Sequence, residues 1–153
     1  MKLIECVPNI SEGRNKEIIE QIIEPIKSKD TLHLLDVDPG FDTNRTVITF
    51  IGPPSDVIEG AFQLIKRASR LIDMSNHKGE HARMGATDVC PLIPIKNVSL
   101  KECVKYSNLL AKKVANELQI PVFLYEYSAT SEHRKNLANI RKGEYEGMFD
   151  KIK

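Results

Sequence analysis

Residues 31–51 read TLHLLDVDPGFDTNRTVITFI, and the reading of this stretch decides the fold. TLHLLDV (31–37) and RTVITFI (45–51) are rich in apolar and β-branched residues, which suit a pleated, half-buried surface. DPGFDTN between them is a cluster of turn formers. The stretch therefore reads as two antiparallel strands joined by a turn. Upstream, KLIECV (2–7) reads as a short strand stopped by Pro8, and PNISEGRN as a loop. From Asn15 the residues Ile18, Ile19, Ile22, Ile23 and Ile26 recur on one helical face, and Pro25 marks the expected end of that helix.

Downstream, Pro53-Pro54-Ser55 opens a second helix whose apolar face is Val57, Ile58, Ala61, Ile65, Ala68 and Ile72. VCPLIPI (89–95) is apolar, but Pro91 and Pro94 confine it to an edge or irregular strand. The order is β-α-β-β-α-β, the split-βαβ or ferredoxin-like order. The expected fold class is α+β, a sandwich of mostly antiparallel sheet with helices on one face. Three further elements extend it. Ser99 and Glu102 form a capping box that starts a helix to about Leu118. IPVFLYEY (120–127) reads as a strand, and a polar helical tail follows from Ser131 to about Lys142. No repeat or domain boundary interrupts residues 1–153, which read as a single domain.

Composition excludes several function classes. The 153 residues are 41% hydrophobic and 28% charged, with a formal net charge of +1. Those are values for a folded chain, and they lack the basic bias of a nucleic-acid binder. An RNA-recognition sheet needs aromatics on its third strand, and NRTVITFIG carries only Phe50. No apolar run reaches the ~20 residues of a membrane span. MKLIECVPNI meets Glu5 and Pro8 too early for a signal peptide. The expected location is the cytoplasm. Cys6, Cys90 and Cys103 share no C-x-x-C spacing and read as reduced thiols packed in the core.

Two polar clusters interrupt the elements. HKGEHARMGATDVC (77–90) contains H-x-x-E-H, the inverted zinc-peptidase signature. Ligation by that motif needs His77 and His81 one helical turn apart, and Gly79, Ser75-Asn76 and Gly85 oppose a helix there. A loop with two solvated histidines is the plainer alternative. Against it stands the density of His77, Glu80, His81, Arg83, Thr87 and Asp88 among glycines, which suits a binding loop. A histidine in such a loop can act as a general base near neutral pH. The second cluster is DVDPGFDTNR (36–45). Its Asp42 and Asn44 suit turn chemistry, whereas Asp38 sits where strand meets loop and can orient an imidazole. His33 and His133 read as structural.

ECVPNISEG (5–13), LLDVDPGFDTNRTVITFIG (34–52), LIDMSNHKGEHARMGATDVCPLIPI (71–95) and IRKGEYEG (140–147) together resemble the N-terminal subdomain of glutamate formiminotransferase. The resemblance covers nearly the whole chain. It implies a ferredoxin-like fold, a homodimer, and transfer of a formimino group from N-formimino-L-glutamate to tetrahydrofolate, the co-substrate, without a metal. The family's catalytic histidine falls on His81 of HARMG, where Ala82 replaces the family's proline, and its assisting aspartate on Asp38. The substrate- and folate-binding positions implied are Asn9, Asn44, Arg45, His77, Glu80, Arg83, Met84, Gly85 and Thr87. The family continues into a C-terminal subdomain that completes the substrate tunnel. Two readings therefore stand: the N-terminal half of a transferase, with a separately encoded second half as partner, or a non-catalytic folate-binding module.

Overall fold

The computed structural model describes residues 1–142 and 144–146. The hairpin forms as expected: β3 (His33–Gly40) and β4 (Arg45–Gly52) pair antiparallel from His33↔Ile51 to Gly40↔Arg45, with a bulge between Leu34 and Asp36. Along its other side β4 meets two short strands in succession. β2 (Asn9–Ile10) pairs with Val47 and Thr46, and β1 (Leu3–Cys6) runs opposite Phe50 to Gly52. Beyond them lie β5 (Thr87–Val89) against β2 and β6 (Leu92–Lys96) against β1. All these pairings are antiparallel. Two of the sheet's ribbons are thus interrupted side by side, at residues 7–8 and 90–91. The strand expected to end at Pro8 resumes at Asn9, because only the proline nitrogen is lost to the ladder; its carbonyl still accepts from the Ile48 N–H at 3.0 Å.

Alternation decides which face is buried. Ile4, Cys6, Ile10, Ile48 and Phe50 have almost no exposed surface and face three helices. Helix α1 (Lys16–Lys27) is N-capped by Asn15, whose side chain accepts from the Glu17 and Ile18 N–H groups. It buries Ile19, Ile22, Ile23 and Ile26. Pro25 lies inside the last turn instead of after it. A proline there cannot donate to the carbonyl four residues earlier, and Arg67 donates to that Gln21 oxygen at 2.8 Å instead. Helix α2 (Pro54–Leu71) begins at the proline pair and buries Val57, Ala61, Leu64, Ile65 and Ala68.

Helix α3 (Leu100–Lys113) carries the complete Ser99/Glu102 capping box and continues as a π-helical turn, Val114–Leu118. Gln119, at φ 56°, ends it. The strand expected over 120–127 does not form. After the left-handed Gln119 and Pro121, which has no N–H to give, the segment leaves the sheet and lies across α3, its Phe123 and Leu124 half-buried. The helical tail is also broken up, into a 3₁₀ turn (Glu132–Arg134) and a short α4 (Leu137–Arg141). No helix among the described residues is long and apolar enough to cross a membrane.

Candidate active site

The turn at residues 41–44 sets the site. Asn44 ends it at φ 51°, a conformation Asn tolerates better than most residues. Its side chain accepts from the Gly13 N–H at 3.0 Å and donates to the Lys78 carbonyl at 3.1 Å. One residue thereby ties three loops together. The 77–86 loop approaches this turn so closely that a Cβ on Gly79 would lie 2.3 Å from the Thr43 carbonyl oxygen. Gly79 is present because backbone meets backbone there, and residues 77–86 are not helical. That geometry removes the zinc-signature reading.

The two histidines of this loop have different surroundings. His77 is buried. Its Nε2 lies 3.0 Å from the Asn44 carbonyl, which can only accept, so Nε2 carries the proton. Its Nδ1 accepts from Arg83 Nε at 2.9 Å. Both ring nitrogens are committed to the fold, which leaves no lone pair for a metal or a substrate. His81 is only half-buried, and its Nδ1–H donates to the Ala82 carbonyl at 2.6 Å. Its Nε2 makes no hydrogen bond among the described residues, so the nitrogen bearing the basic lone pair is the uncommitted one. Asp38 is exposed on β3, and no hydrogen bond joins it to His81 among the described residues.

Most of the other expected binding residues hold one another. Arg45 donates to Asn9 Oδ1 at 3.1 Å and to Asp88 at 2.8 Å. The Asp88 side chain is fully buried; it also receives Arg141 at 2.6 Å and the Met84 N–H. Gly85 offers its carbonyl to the Ser11 hydroxyl at 2.7 Å. Glu80 is exposed and tied through its N–H to the Asp42 carbonyl. Thr87, on β5, has a buried hydroxyl without a partner among the described residues.

Arg83 is the second hub. Beyond His77 it makes a two-pronged contact to Glu146 at 2.7 and 2.9 Å and a further one to Glu144 at 3.2 Å. The guanidinium hydrogen bond draws the Glu146 carboxyl down to about 2, although its side chain is 65% exposed. The same contact raises Arg83. Sequence reading counted Asp88 among the polar groups of the loop without giving it a partner, and gave Arg141, Glu144 and Glu146 no role. The available signal was charge arithmetic: buried arginines need carboxylates, and GEYEG supplies two.

Residues 3–153 match the formiminotransferase domain, N-terminal subdomain. The chain belongs to this family. It is 51% identical over 152 residues to the formimidoyltransferase-cyclodeaminase of Dictyostelium discoideum, covering 99% of this chain and 28% of that protein. To the glutamate formimidoyltransferase of Streptococcus pyogenes it is 49% identical over 151 residues, 99% of this chain and 50% of the relative. A glutamate formimidoyltransferase from Thermoplasma acidophilum is 43% identical over 155 residues, with 51% of its length covered. The chain therefore spans between about a quarter and about half of the length of these relatives.

Proposed function

We propose that this formiminotransferase subdomain forms the histidine-bearing half of an enzyme that moves a formimino group from N-formimino-L-glutamate to tetrahydrofolate, a step of histidine breakdown. One observation carries the reading within the site. Among the described residues, of the two loop histidines only His81 keeps an imidazole nitrogen uncommitted, and it is the nitrogen that bears the lone pair.

In this reading N5 of tetrahydrofolate attacks the amidine carbon. His81 Nε2 takes a proton as the tetrahedral adduct forms and returns it to the departing glutamate nitrogen. Asp38 is assigned to orient the imidazole and stabilise its charged form. Arg45, Arg83 and Arg141 are each held by the chain's own carboxylates. The second half of the domain supplies the cations for a dicarboxylate substrate. The sheet order, with β4 lying between β3 and the β1/β2 ribbon, supports the ferredoxin-like arrangement as the frame. A homodimer in the cytoplasm belongs to the same proposal.

The test is turnover of formiminoglutamate and tetrahydrofolate by this chain joined to a C-terminal subdomain from a relative. His81→Ala is expected to lower kcat by ~10²–10⁴, the usual worth of a positioned acid–base group. Unchanged turnover would remove His81 from the chemistry. Binding of a reduced folate without turnover in any pairing would favour the non-catalytic module.

A further inference from the structure

We infer that Cys6 and Cys90 form a peroxide-sensitive thiol pair at the base of the site loop, and that they close to a disulfide. Their sulfurs lie 3.5 Å apart, in contact, although the residues are 84 positions apart in sequence. A disulfide needs about 2.05 Å, so the sulfurs must approach by roughly 1.5 Å. Both sulfurs lie where the sheet's ladder is interrupted. β1 stops at Cys6 and β2 resumes at Asn9, while β5 stops at Val89 and β6 resumes at Leu92. Among the described residues one ladder bond, Val7 N–H to Pro91 carbonyl at 3.3 Å, spans the gap.

Access is unequal, and this sets the order of events. Cys90 is half-buried and lines a cavity of about 410 Å³ whose walls include Pro91, Leu92, Phe123 and Tyr125. Cys6 has no exposed surface and does not line the cavity. Burial, with the neighbouring thiol second, pushes the Cys6 thiol well above its ordinary range, which disfavours it as the first to react. Cys103 borders the same cavity, but no sulfur contact joins it to either thiol among the described residues.

Hydrogen peroxide is the oxidant. The Cys90 sulfur attacks one peroxide oxygen, the O–O bond breaks, and the products are Cys90 sulfenic acid and water. Cys6 then attacks the Cys90 sulfur; the S–O bond breaks, and the released hydroxide leaves as water with the thiol proton. Two thiols are oxidised to one disulfide as one peroxide is reduced to two waters. The bond forms two residues beyond Asp88, the anchor of Arg45 and Arg141.

The experiment uses the unaltered chain. It is exposed to hydrogen peroxide, denatured, alkylated with iodoacetamide and digested for mass spectrometry. The expected product is a Cys6–Cys90 linked peptide, with alkylatable thiols reduced from three to one and recovered by dithiothreitol. In Cys6→Ser, dimedone should trap a sulfenic acid on Cys90. Three alkylatable thiols after peroxide, or a link to Cys103 or to a second chain, would overturn the pairing. A dimedone adduct absent from Cys90 in the folded variant would overturn the order of oxidation.

Discussion

At the scale of single residues, the two histidines of HKGEH are distinguished by what their nitrogens already do. Removing the His77 ring leaves the Arg83 Nε–H and the Asn44 carbonyl unpaired in a buried setting. A lost buried partner costs about 1–3 kcal/mol. His77→Ala should therefore lower the unfolding free energy by about that amount in urea denaturation. His81→Ala, at a half-exposed ring bonded only to its neighbour's carbonyl, should change it by about 0.5 kcal/mol or less. A stability loss at His81 equal to that at His77 would mean both are structural. Asp88 is a stronger case. Its carboxylate sits between Arg45 and Arg141 and receives the Met84 N–H. Asp88→Ala strands a buried guanidinium, a change worth about 3–5 kcal/mol. Loss of the cooperative thermal transition, or a marked drop in its midpoint, is the expected result. The sequence reading took 77–90 as a substrate loop, whereas in the structure its Arg83 and Asp88 are held by charges from elsewhere in the chain. That much was not legible, because the carboxylates meeting Arg83 come from 61 and 63 residues away. No spacing within the loop announces them.

At the scale of elements, local signals were read correctly where one short stretch determines the outcome. The β3–β4 hairpin, the isoleucine face of α1 and the Ser99/Glu102 capping box all formed as expected. IPVFLYEY has the composition of a strand, yet strand formation also requires a partner edge. Gln119 and Pro121 direct that segment across α3 instead. Pro25 shows the converse, a local rule overridden by a distant side chain. The helix continues past it because Arg67 satisfies the Gln21 carbonyl that the proline cannot reach. Pro25→Ala would restore an N–H within reach of that carbonyl. An interior proline costs about 3 kcal/mol relative to alanine in a helix. Here the gain should be smaller, about 1 kcal/mol, because the carbonyl is already bonded and the site is one turn from the helix end. A rise in the urea midpoint at constant m-value would confirm it, and destabilisation would show that the proline ring packs better than the helix bond it removes.

At the scale of the whole molecule, the segment just before residue 147 returns to the loop at residues 77–88 and closes the site from outside the sheet. Glu146 reports on that closure. Its carboxyl stands at about 2, chiefly through the Arg83 hydrogen bond, against an ordinary glutamate value of 4.5. A carboxyl depressed in the folded state favours folding above its unfolded value, and that contribution is lost as pH falls through the folded one. The arm is therefore expected to stay docked unchanged from neutral pH to about 4.5 and to detach progressively as pH approaches 2. Carbon-13 NMR of the Glu146 carboxyl should show a midpoint near 2, provided the sheet core remains folded over the titration. In Arg83→Met the midpoint should return towards 4.5. A midpoint near 4.5 in the unaltered chain would mean that the Arg83–Glu146 contact does not form.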